Sequence, residues 1–293
     1  MAATSSSSFT QLHQPLRSIS LPSRIHPTCL KFEAALTHLK QICPSCPRRS
    51  VVSGADKLEI RLIGLAELYN IVQEIFHSPH KKLALLRYQN GKLVEDALNG
   101  SAILLDTCDT ARNIVLTTKE HVQRLQSALR RRARQDYSSD VNAYISFRKK
   151  AKREIVKTLG ALKKMESKGY LCPLVDADDD QMIVIKILRE ATAITVSIFR
   201  SLLVFLQYST KTKPLMISKL IPLRPSSSEI IINEVERVDF ALCKNATWTQ
   251  VETIHDMLHT LSSRVHGLEA GLDFVFKSLV QNRVSFLNIL TSF

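Results

Sequence analysis

Glycine supplies only 8 of the 293 residues, and stretches that alternate apolar and polar positions between turn signals are hard to find. A sheet protein needs both, so the composition argues against a β architecture. Long uncharged apolar runs are missing as well. The best approach to one, residues 182–206, is interrupted by Lys186, Arg189, Glu190 and Arg200, whereas a membrane span needs about 20 nearly uncharged residues. That stretch therefore reads as a buried bundle helix. The N-terminus has no secretory apolar segment. The six cysteines are scattered, mostly at apolar positions, which suggests a reducing compartment and no disulfide framework. No glycine-rich phosphate loop, nucleophile elbow or triad spacing occurs, so a non-enzymatic protein is expected, with no cofactor.

What the sequence has instead is helical periodicity and positive charge. The 40 Lys and Arg against 27 Asp and Glu give a net charge of +13 and a pI near 9.6. Such an excess implies an anionic partner more than it implies a fold. Ten of those thirteen charges fall in residues 119–168, where fifteen basic residues stand against five acidic ones. This region belongs to two expected long helices within residues 91–168. The first has Val94, Leu98, Leu105, Cys108, Val115, Val122, Leu125 and Leu129 on one face, with small Ser101, Ala111 and Thr118 between them. The second carries Val141, Tyr144, Ala151, Ile155, Leu159 and Leu162. A break is expected near residues 135–139, with Ser138, Ser139 or Asp140 capping the second helix.

The rest of the chain follows the same plan. Shorter helices are expected over residues 28–42 and 56–77, stopped by Cys43-Pro44-Ser45-Cys46-Pro47 and by Ser78-Pro79. Ser226 followed by Glu229 fits a capping box for a helix through Val235, Val238 and Leu242. In the last helix Val251, Ile254, Leu258, Leu261, Val265, Leu268, Leu272, Val275 and Leu279 alternate steps of three and four. The expected fold is all-α, a bundle of long antiparallel helices with coiled-coil-like seams. Four regions are expected: a disordered basic tail at 1–27, an N-terminal helical half at 28–210, a Pro/Ser linker at 211–228 and a C-terminal helical half at 229–293.

Clustered cations mark the candidate binding surface: Arg130, Arg131, Arg132 and Arg134, then Arg148, Lys149, Lys150, Lys152 and Arg153. They suit the phosphates of an anionic lipid or of RNA, a nuclear import signal, or a solvated face paired with acids such as Asp176 to Asp180. Tyr137, Tyr144 and Phe147 are too few and too seam-like to form a base-stacking surface. In the tail, Arg17, Ser20 and Pro22 have the spacing of a basophilic kinase site read by a phosphoserine-binding protein. The other reading is a docking turn.

Metal readings are weaker. Cys43 and Cys46 are half of a zinc site with no second pair. Asp176, Asp178 and Asp180 begin like a calcium loop, but Gln181 and Ile187 occupy the positions where glycine and glutamate are needed. His255, His259 and His266 share a helix face without the glutamate of a zinc protease, and read as surface histidines.

Several segments carry a family likeness. They include Arg17-Ser18-Ile19-Ser20-Leu21-Pro22, Leu98-Asn99-Gly100-Ser101, Leu129-Arg130-Arg131-Arg132, Arg148-Lys149-Lys150-Ala151-Lys152, Leu268-Glu269-Ala270-Gly271-Leu272 and Arg283-Val284-Ser285-Phe286-Leu287. Over residues 17–293 the chain resembles the plant BYPASS-related proteins, a helical family without agreed catalytic residues. The resemblance implies a land-plant protein associated with root and shoot development, expected to act as a scaffold or regulatory interaction protein. A peripheral anionic-membrane or nucleic-acid binding module is the alternative. Residues 1–32 are Ser-rich, and Glu33 is the first acid, as in a transit peptide. One of the family motifs lies inside that stretch, so a cytoplasmic location, or a nuclear or membrane-peripheral one, is expected over an organelle.

Overall fold

The structure, a computed structural model, describes residues 26–42, 54–87, 92–131, 134–167, 179–207, 233–243 and 251–291. Among these residues there are eight helices and no strand. They are α1 (Pro27–Gln41), α2 (Gly54–Phe76), α3 (Pro79–Arg87), α4 (Lys92–Arg131), α5 (Arg134–Ser167), α6 (Asp179–Leu206), α7 (Glu234–Cys243) and α8 (Val251–Thr291). The expected all-α class is what the chain adopts. The tail and the 211–228 segment lie outside the described residues.

Local chemistry sets several boundaries. His26 caps α1 by accepting from the Thr28 amide, and Pro27 occupies a first-turn position where its missing N–H costs nothing. α7 opens on a capping box: Asn233 Oδ1 accepts from the Glu236 amide at 2.9 Å, while Glu236 Oε2 accepts from the Asn233 amide at 3.4 Å. Ser226 and Glu229, expected to form such a box, lie outside the described residues. The break between the two basic helices is shifted from its expected place. α4 runs to Arg131 and α5 begins at Arg134, so Ser138, Ser139 and Asp140 are inside a helix instead of capping one. Residues 135–139 hold neither glycine nor proline, and polar residues alone do not stop a helix that buries a face further on.

The 40 residues of α4 and the 41 of α8 are the long struts, each on the order of 60 Å at about 1.5 Å per residue. In α4 the expected seam is buried except Leu105, which is half-buried beside the fully packed Leu104. In α8 every seam residue from Ile254 to Leu279 is buried. The two struts run antiparallel, because Arg283 reaches Leu98 and Ser101, Arg112 reaches Asp273, and Lys119 reaches Glu269.

α2 breaks the uniformly antiparallel pattern. Its pairs with α8 climb together: Asp56 with Arg264, Asn70 with Ser278, and Phe76 with Phe286. α2 and α8 are therefore parallel neighbours, as the long connection between them allows. They approach closely at Gly271, where an added Cβ would meet Leu62 Cβ at 2.9 Å. α6 packs against α1, α2, α3, α4 and α5, which explains the wide apolar arc beside its narrow exposed stripe of Lys186, Arg189, Ser197 and Arg200. One continuous apolar core takes residues from all eight helices, so segments on both sides of residues 211–228 share it.

Candidate functional site

α5 separates the basic region into two populations. Tyr144, Arg148, Ala151, Ile155, Leu162 and Met165 recur at helical spacing and are buried. Lys149, Lys150, Arg153, Lys157, Lys163 and Lys164 are exposed. From Lys149 to Lys164 the exposed strip extends about 22 Å at about 1.5 Å per residue. Glu154 is the one exposed acid within that span. Val156, 55% exposed, sits among the cations. Lys152 is half-buried and already engaged in the fold.

Arg148 is not part of this surface. It is fully buried, donating from Nε to both oxygens of Asp239 (3.0 and 3.2 Å) and from Nη2 to Asp239 Oδ2 (3.1 Å). Nη2 also donates to the carbonyl of Leu206 at 2.8 Å, satisfying one of the last acceptors of α6. Tyr144 donates to Asp239 Oδ1 at 2.7 Å. Burial, then the Asp239 charge, holds the Tyr144 phenol well above its ordinary range, so it remains a proton donor. These contacts tie α5, α6 and α7 together. One arginine of a basic cluster serves as an internal clamp while its sequence neighbours face water.

Of the other expected cations, Arg130 and Arg131 are exposed in the last turn of α4, where positive charge also complements the helix terminus. Arg132 and the side chain of Arg134 lie outside what is described, as do Arg17, Ser20 and Pro22. Asp180, considered as a partner for the clusters, pairs with Lys81 on α3. Asp179 and Asp180 occupy the first turn of α6, as expected of negative charge at a helix N-terminus. Cys43 and Cys46 are outside the described residues. His259 and His266 are exposed and His255 is half-buried. Among the described residues no group of three His, Cys, Asp or Glu is arranged to hold a metal, and no helix is long and apolar enough to cross a membrane.

The α4–α5 contact near the strip is aromatic. His121 stacks on Phe147 with ring centroids 5.0 Å apart and meets Tyr144 edge-on at 6.1 Å. Burial and then the Arg124 charge push the His121 imidazole below its usual value, against smaller opposing effects from Glu120 and Asp140. Sequence reasoning missed both Asp239 and His121. Asp239 had a legible signal: an acid placed between Val238 and Leu242 on the buried face of a short helix.

A family model described as Protein BPS1 matches residues 61–289, from within α2 nearly to the end of α8. No curated protein and no solved structure matches the chain.

Proposed function

The chain belongs to the Protein BPS1 family, and on that premise we propose that it is a non-enzymatic helical scaffold that meets an anionic partner through the exposed face of α5. Membership suggests a protein related to plant development; root and shoot development are the finer reading. The observation that carries the proposal is the two-sidedness of α5. One face is anchored in the core through Arg148 and Tyr144, while the other offers six exposed cations on a rigid rod. A surface held this firmly meets a partner with little ordering cost. Ser20, once phosphorylated, is a second docking point, for a phosphoserine reader.

Binding to an anionic membrane or to RNA is the second reading. It is favoured by the length of the strip and by exposed Val156 within it. A variant with Lys149, Lys150, Arg153, Lys157, Lys163 and Lys164 changed to glutamine, on an intact helical fold, separates the readings. If the unmodified protein sediments with phosphatidylserine vesicles or retains RNA, and raising salt from about 50 to about 200 mM releases it, the second reading holds. The scaffold reading expects little retention on either, and a protein partner that the variant loses.

A further inference from the structure

Beside the seam where α4 and α8 run antiparallel lies an open groove of about 690 Å3. α4 contributes Gln126 and Arg130 to its lining, and α8 contributes His255, His259, His266 and two adjacent serines, Ser262 and Ser263. Among the described residues no carboxylate lines it. From this donor set we propose that the groove binds a phosphate monoester.

Each group suits a tetrahedral anion. Arg130 holds a permanent charge and a fork of N–H donors. The imidazoles donate from one nitrogen when neutral and from two when protonated. Ser262 and Ser263 add hydroxyls that rotate to suit the ligand. Gln126 adds a side-chain amide to the same lining. Its NH2 group is a further donor to an anion.

His255 and His259, one turn apart, invite comparison with a metal pair. Arg130 in the same lining opposes a cation and favours an anion. Two described carboxylates approach the lining histidines. Glu269 is paired with Lys119 and lies 3.6 Å from His266 Nδ1, while Asp256 is 4.0 Å from His255 Nδ1. The site stands on a different helix pair from the α5 strip and does not rest on that reading.

The test is a titration of the full-length protein at constant ionic strength and about pH 6.5, near the ordinary histidine pKa. It follows the imidazole resonances of His255, His259 and His266, with exposed His80 on α3 as a control. Inorganic phosphate and glycerol 3-phosphate should shift the three groove histidines saturably and leave His80 in place. Arg130→Gln and His259→Gln, both at exposed positions, should each weaken binding about tenfold without changing the far-UV circular dichroism. Vesicles containing phosphatidic acid form a separate arm. A response to vesicles and to glycerol 3-phosphate supports a free or lipid-borne monoester, and a response to vesicles alone assigns the groove to a lipid headgroup. No response to any phosphate, equal shifts at His80, or saturation by zinc chloride with none by phosphate would overturn the proposal.

Discussion

The guanidinium of Arg148 lies against the carboxylate of Asp239, Nε to Oδ1 at 3.0 Å, with both side chains withdrawn from water. The pair joins α5 to α7, a helix of only 10 residues whose apolar contribution to the core is Val235, Val238 and Leu242. Two buried charges of opposite sign hold each other in place at a cost in desolvation. Their value here is positional: Arg148 fixes the rotation of α5, and that rotation turns Lys149, Lys150 and Arg153 outward.

Removing one partner leaves the other charge buried alone. Arg148→Met should destabilise the protein by about 3–5 kcal/mol, and Arg148→Met with Asp239→Leu should regain most of that loss. Urea unfolding of the two variants checks this. A double variant as unstable as the single one would mean that the hydrogen bonds to Leu206 and Tyr144 carry the stability instead.

The parallel contact of α2 with α8 depends on a missing side chain. At Gly271 a Cβ would press on Leu62 Cβ at 2.9 Å, an atom held close to its own backbone. Gly271→Ala should therefore cost about 1–3 kcal/mol. A Cβ added at Gly160 on α5 would meet nothing within 4 Å, so Gly160→Ala should stabilise by about 0.4–1 kcal/mol through the unfolded chain. Opposite shifts in melting temperature are expected, and shifts of the same sign would count against the close approach.

His121 supplies a pH dependence whose sign is fixed. Its folded-state pKa is lowered, chiefly by burial and then by Arg124, while the unfolded value is about 6.5. On acidification the unfolded chain takes up the proton first. The contribution is intact above about pH 6.5 and is lost as pH falls through the folded value. The midpoint of urea unfolding should drop between about pH 7.5 and pH 5, and His121→Phe should reduce the drop. An unchanged pH profile in the variant would remove His121 from this role.

The long elements were legible because their signal is internal to them. The seam of α8 is a run of threes and fours that any packing partner would bury, and it is buried from Ile254 to Leu279. What packs on that seam was not legible, since the parallel run of α2 depends on Gly271 meeting Leu62 and on a connection that no local pattern encodes. The basic region shows the same division. Charge density along the chain located the cations, but only helical phase separates Arg148 from Lys149. The expected seam through Tyr144 and Ala151 already placed Arg148 between two buried positions, four residues after one and three before the other. Charge outweighed phase in that reading, and Asp239, the partner that makes burial tolerable, lies 91 residues away.

The most direct test of the scaffold is affinity capture from plant tissue of the unmodified protein beside the variant with glutamine at Lys149, Lys150, Arg153, Lys157, Lys163 and Lys164, with and without phosphatase. The account predicts a defined protein partner that is recovered with the unmodified chain and absent from the variant, although both show the same helical circular dichroism. A second partner, lost on phosphatase treatment and retained by the α5 variant, is expected for the Ser20 site. Identical recovery with both proteins would contradict the account, because the outward face of α5 would then be solvated charge and nothing more.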